Sequence, residues 1–352
     1  MPLKADCPMP DDPHHLVRFV TAQSGDLIRE RWDLMGHAKG FHIRLMSFRQ
    51  VALRSVLSRL ADSIAQSPEV LRRGPCILVA CDLEFSMEFL DLAIPFLQLS
   101  GNALPSYHVC GATSGDSKRF FKRHSDLALV ANLAFHPESA ADVTLGDGLI
   151  DKEFDFAVVR LDSEIASLAT AESILRSPTF HVGQVVSLVD GLPVMRIKPD
   201  DRLQVVSLFT HGLNSPEFGD QTLEKSATEN HETYLAGLNP AERKDAPHWE
   251  NLGEAFKNSN RWAVLHRQAK VAVWKHAEEP SKPALIEMLA CSEHQRWMAE
   301  KIMTGWRAGL TRDNGRKIHP DIQPYATLSE EVREKDRVQV RKALGLEITS
   351  HD

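Results

Sequence analysis

At 352 residues, with 43% apolar and 25% charged side chains and a formal net charge of −7, the chain has an ordinary globular composition and the length of about two or three domains. The acidic balance argues against a protein that coats nucleic acid. No apolar run approaches the ~18–20 residues of a bilayer span, and the opening M-P-L-K-A-D-C-P-M-P-D-D-P lacks a secretory apolar core, so a cytoplasmic protein with neither membrane nor nucleic acid as partner is expected.

The first thirteen residues carry four prolines and read as a loose arm. Ser47 to Ala65 then places Val51, Leu53, Val56, Leu57, Leu60 and Ile64 at helical spacing with arginines interleaved, an amphipathic helix that closes a lead-in over residues 1–70. From Gly74 the texture changes to short apolar runs at 76–81, 107–110, 127–133, 156–161, 185–189 and 203–209. Continuous rather than alternating apolar strands imply burial on both faces, so residues 71–215 are expected to form a Rossmann-like α/β domain with a largely parallel sheet. The five cysteines, Cys7, Cys76, Cys81, Cys110 and Cys291, contain no C-x-x-C pair and offer neither a disulfide framework nor a zinc knuckle; most read as small core residues.

Parallel sheets bind ligands outside the carboxyl ends of their strands. Two loops qualify. C-G-A-T-S-G-D-S-K-R-F-F, Cys110 to Phe121, nominates Gly111, Ser114, Gly115 and Lys118 as a phosphate seat, although it matches neither dinucleotide nor P-loop fingerprint and the same residues build ordinary turns. In A-C-D-L-E, Asp82 follows the first strand, where an acid binds a ribose or caps a helix; the cap is the better reading. Asp155, Asp162 and Glu164 flank a later strand as catalytic carboxylates or, again more simply, as caps. Sixteen histidines yield no H-E-x-x-H, and no G-x-S-x-G or metal-ligand spacing is present, so no metal or cofactor is required and a non-catalytic role is favoured.

Beyond Leu213 the chain turns polar and then helical, and five of its six tryptophans lie after residue 248. Residues 220–346 repeat themselves, with copies over 228–275 and 284–346. His231 and Tyr234 in H-E-T-Y correspond to His294 and Trp297 in H-Q-R-W. W-E-N-L-G-E-A-F-K-N-S-N-R, ending at Arg261, corresponds to Y-A-T-L-S-E-E-V-R-E-K-D-R, ending at Arg337. Asn251 with Glu254, and Thr327 with Glu330, have capping-box separation. His294, Trp297 and Lys301 share one helix stripe. At a pseudo-twofold seam Tyr234 and Trp297 could clasp a flat heterocycle while Lys301, Arg261 and Arg337 reach phosphate oxygens. The same spacing serves an aromatic core with satisfied imidazoles and a snorkelling lysine, and both arginines could be structural.

L-A-C-S-E-H-Q-R-W-M-A-E-K-I-M-T-G-W-R-A-G followed by K-I-H-P-D-I-Q-P-Y-A-T-L-S-E-E-V-R-E-K-D-R closely resembles the RyR domain, the module named for its repeats in ryanodine receptors. The earlier copy resembles a shortened module without the G-W and H-P portion. The resemblance implies a tandem helical unit with pseudo-twofold symmetry, in bacteria often placed after a Rossmann-type domain of the potassium-transport regulatory (TrkA N-terminal) kind. It also implies an adenine nucleotide held between copies, which nominates Trp297 and Lys301, with Tyr234 facing them, and an association with stress or antiphage sensing. Gly305-Trp306 and Arg312 to Pro320 form a hairpin-like excursion in which Trp306 is a packing anchor. Three functions remain open: a receptor for an adenine-nucleotide-like or NAD-derived phosphorylated ligand, compatible with a homo-oligomer; a nucleotide-processing enzyme using the α/β domain; and a ligand-free scaffold.

Overall fold

A computed structural model describes residues 16–21, 42–145, 148–149, 152–191, 200–214, 222–238, 243–244, 246–277 and 282–346. The expected proline-rich arm and Cys7 lie outside the described residues. Two short strands, β1 (Leu16–Thr21) and β2 (His42–Ser47), pair in parallel ahead of helix α1 (Phe48–Ala65). Both strands fall in the lead-in, for which only an arm and a helix are expected.

Six strands follow: β3 (Cys76–Cys81), β4 (Ser106–Val109), β5 (Asn132–Phe135), β6 (Glu153–Arg160), β7 (His181–Val189) and β8 (Leu203–Ser207). They form one parallel sheet in the order β5-β4-β3-β6-β7-β8. The order reverses beside β3, which is buried at five of its six positions, so the chain winds outward in both directions from the centre. The apolar run at 127–133 splits differently from expectation: Leu127–Leu129 is a short helical turn and the strand begins at Asn132. Short apolar runs do not distinguish a buried turn from a strand, and here Leu127 and Val130 turn inward while the Val130 carbonyl accepts from Gln98 Nε2 at 2.8 Å. The last run also ends early, because Ser207 caps helix α6 (Leu208–Leu213) by accepting from Thr210 N.

One face of the sheet buries Ile77, Val79, Tyr107, Val109, Val158 and Leu188 against α1 and α3 (Leu83–Phe96). Leu53 and Leu57 are fully buried there, so α1 is a central layer of the structure. The other face packs Leu78, Ala80, Ala157 and Val159 against α5 (Glu164–Arg176) and the turn at Ala140–Leu145. Asp82 is the N-cap of α3, accepting from Phe85 N at 2.9 Å. Asp155 is no cap: it lies inside β6 and accepts from Arg73 at 2.6 and 2.9 Å and from Cys76 N at 2.8 Å, tying the short helix α2 (Pro68–Arg73) to the sheet. Ser163, between Asp162 and Glu164, caps α5.

Among the described residues the long helices that follow are α7 (Thr222–Ala236), α8 (Glu254–His276), α9 (Lys282–Met303) and α10 (Glu330–Ala343); α4 (Ser114–Arg123) lies between β4 and β5. Helices α8 and α9 pack on the same side as α1 and α3, and Ala269, Met298, Ala299 and Ile302 extend the sheet's own core. The junction is also polar, since Gly101 N donates to Ser292 Oγ at 2.9 Å and His124 Nδ1 meets Ile302 O at 3.1 Å. No described helix is long and apolar enough to cross a membrane.

The opposite sheet face holds an imidazole pair, His108 Nδ1 to His136 Nε2 at 2.9 Å, with Phe154 edge-on to His108. Burial first, then His136 and Lys152, push the pKa of His108 down to about 4. Below its ordinary pKa of about 6.5 the unfolded chain gains a proton here that the folded chain does not, so this stability is complete above about pH 6.5 and lost as pH falls towards 4. Urea midpoints of wild type and His108→Gln should therefore converge over that acid window, and parallel curves would refute the assignment.

Candidate functional site

The site is built around α9. His294 Nε2 meets the Gln323 carbonyl at 2.9 Å, its ring is tilted against Tyr325 at 6.0 Å, and Trp297 stacks on it at 5.7 Å and 27°. On α7, His231 Nε2 meets the Pro247 carbonyl at 2.9 Å, its ring is tilted against Trp249 at 6.0 Å, and Tyr234 stacks on it at 6.2 Å and 29°. Arg261 of α8 clasps Glu224 of α7 at 2.7 and 2.9 Å, and Arg337 of α10 clasps Glu287 of α9 at 2.6 and 3.1 Å. Each histidine helix is thus clasped in the same way by the long helix that follows its copy's turn, α7 by α8 and α9 by α10. The predicted caps shift, however. Asn251 and Thr327 lie in short turns, Trp249–Asn251 and Tyr325–Thr327, and the N-caps of α8 and α10 are Gly253 and Ser329.

Several of the nominated ligand residues are engaged with the chain itself. His231 and His294 are buried and spend Nε2–H on backbone carbonyls, so they orient the chain that returns to the next helix. Arg261 and Arg337 are bound by carboxylates; Arg337 also donates to Glu330 and Glu334, and these bonds hold its guanidinium charged. A fork already filled by carboxylates is a helix clamp. Tyr234 is 53% exposed, and among the described residues its ring meets that of His231 and not that of Trp297. At the β4–α4 loop, Gly111 adopts φ +75°, Thr113 caps the helix, and Asp116 accepts from Thr113 N at 2.9 Å. The Asp116 carboxylate is spent on Thr113 N and Oγ1 and on Arg119, and of the nominated phosphate residues Gly111 N donates to Glu138 O at 2.7 Å.

Trp297 and Lys301 do come together with residues not nominated for binding. Gly305, at φ +86°, ends α9 in a left-handed turn, and Trp306 N donates back to Lys301 O at 2.9 Å, which folds the Trp306 ring over the last turn. Asp313 and Ile318 exchange two backbone hydrogen bonds that close the D-N-G-R excursion, and β10 (Ile318–His319) pairs with β9 (Arg307–Ala308). His319 is thereby placed edge-on to Trp297 at 5.0 Å and to Trp306 at 6.2 Å.

The Lys301 ammonium lies 5.3 Å from the Phe256 ring of α8 and 5.6 Å from the Trp306 ring. Its side chain is only 12% exposed and its nearest carboxylate oxygen, Glu300 Oε1, is 3.9 Å away. Among the described residues it donates no hydrogen bond. Burial lowers its pKa, with Glu300 opposing and Arg296 and Arg312 adding to the effect.

Behind Lys301 lies a buried charge cluster that sequence spacing would place on a solvated face. Arg296 donates to Glu293 at 2.9 and 3.0 Å and to Glu300 at 3.0 Å; Ser259 donates to Glu300 at 2.9 Å, and Lys270 to Glu293. Burial alone would raise the Glu293 pKa, but Arg296 and Lys270 hold it well below the usual carboxylate range. The only early signal is the E-x-x-R-x-x-x-E spacing, which places the three on one helix face without saying that α8 covers it.

The RyR domain family model matches residues 278–349. The matched segment contains α9, the excursion and α10, and with them Trp297, Lys301, Trp306 and His319.

Proposed function

We propose that the RyR-like segment and the α7–α8 segment are two copies of one module related by a pseudo-twofold axis. They follow a Rossmann-like α/β domain, and the surface around Trp297 and Lys301 binds an adenine-nucleotide-like or NAD-derived ligand, which makes the protein a nucleotide-sensing receptor. The repeated His–aromatic–carbonyl and Arg–Glu clasps support the two-copy reading. The outward winding of the sheet from β3 supports the Rossmann-like reading. The enzyme reading has less support, because the carboxylates at the sheet crest are engaged: Arg160 bridges Asp82 at 2.5 Å and Asp190 at 2.9 Å.

One observation carries the ligand reading. Lys301 is a largely buried ammonium whose donors are unspent, flanked by rings from two different helical segments. A desolvated cation beside aromatic faces favours a ligand that pairs a flat ring with an anion. Partner rings and a phosphate contact would add affinity without new chemistry, as a sensor requires.

Thermal unfolding with adenosine, ADP and NAD tests this. Ligand at about 100 times Kd adds about 2.7 kcal/mol to stability. ADP is expected to raise Tm more than adenosine. Lys301→Ala should unfold like wild type without ligand and lose the ADP increment, and Trp297→Ala should weaken both ligands by about 10- to 100-fold. An ADP shift unchanged in Lys301→Ala would remove the phosphate contact, and no shift with any of the three would favour the scaffold.

A further inference from the structure

His319 stands between Trp297 and Trp306 with its tautomer already set. Asp321 N donates to His319 Nδ1 at 3.1 Å, so Nδ1 carries the lone pair and the neutral ring carries its proton on Nε2. Among the described residues Nε2 has no hydrogen-bond partner. The ring is 13% exposed and held edge-on between Trp297 and Trp306. Arg312 and Lys301 are near enough to disfavour its protonation, as is His294, whereas Asp321 favours it; burial is the largest effect, and the pKa is lowered. Arg312 spends Nε on Asn314 at 2.9 Å and leaves the rest of its guanidinium without a partner among the described residues.

Lys301 Nζ, His319 Nε2–H and the outer nitrogens of Arg312 are thus unspent donors among the described residues, and Arg312 lies near enough to the other two to disfavour their positive charge. These unspent donors, with Glu300 3.9 Å from Lys301 and Asp321 3.9 Å from His319 Nδ1 as the carboxylates beside them, suit an oxyanion better than a cation. We infer that His319 is a ligand-binding residue that donates Nε2–H, as a neutral imidazole locked by the Asp321 amide, to an oxygen of a phosphorylated ligand also held by Lys301. This inference rests on the receptor reading above and adds a residue and a protonation state to it. Neutral donation has a consequence that a cationic histidine would not share: the contact persists above the imidazole pKa.

The test uses the full chain with histidine nitrogens labelled, and ADP and inorganic pyrophosphate as probes. Two-bond nitrogen–proton correlation in the free protein should show His319 as the Nε2–H tautomer; the Nδ1–H tautomer would overturn the proposal without any ligand. Calorimetric affinity for ADP should change less than about twofold from about pH 7 to about 8.5, where a cationic contact would weaken about tenfold per unit. His319→Gln, whose amide can donate, should bind within about threefold of wild type, and His319→Ala should bind about tenfold or more weakly to both probes. Equal loss in His319→Gln and His319→Ala, or a steep fall with rising pH, would overturn the assignment while the receptor reading stood. Wild type that binds neither probe would overturn both.

Discussion

Arg296→Ala is expected to destabilise the protein by about 3–5 kcal/mol, the usual cost of removing one partner from a buried ionic group. Arg296 is 3% exposed and supplies both Glu293 and Glu300 with hydrogen bonds, while Lys270 and Ser259 each serve one of them. Without the guanidinium, two carboxylates between α8 and α9 lose most of their hydrogen bonds and charge compensation. Replacing Lys270, Glu293 and Arg296 together by apolar residues of similar volume should recover part of the loss, because of the cluster only Glu300 then remains, still held by Ser259 and 3.9 Å from Lys301. Urea denaturation followed by tryptophan fluorescence reads both. A single-variant cost below about 1 kcal/mol would mean that water reaches the cluster.

Phe96→Ala is expected to cost a similar amount, about 3–5 kcal/mol, for a different reason. The ring is 1% exposed and meets Trp262 edge-on at 5.8 Å and His266 at 6.0 Å, so it joins α3 of the sheet layer to α8. Truncation leaves a cavity at the seam and loosens the packing of His266, an imidazole that burial holds neutral. The two parts should still unfold together in wild type, because Ala269, Met298 and Ile302 share the sheet's core. Separate wild-type transitions for the sheet and for the Trp262 signal would show the seam to be weak.

The parallel sheet was legible because burial on both faces leaves unbroken apolar runs, and Cys76–Cys81 became the central strand for that reason. The boundary at Leu127 was not legible, since an apolar run carries the same pattern whether it turns or extends. The His294–Trp297–Lys301 stripe was legible from spacing, but the partners of Lys301 were not. Trp306 reaches it by a left-handed turn at Gly305, Phe256 comes from another helix, and His319 arrives only after the Asp313–Ile318 closure. Arg261 and Arg337 look like ligand forks in sequence; Glu224 and Glu287, each seven residues before a histidine, become their partners only when helices pair.

From sequence alone came the kinds of element, the doubled helical pattern and the stripe that carries Trp297 and Lys301, because backbone periodicity is a local property. Tertiary structure decided which charges are spent and which stay open. A side chain's partner depends on what packs across from it, and that choice turned two arginines and two histidines into clasps while leaving Lys301 and His319 with donors to offer.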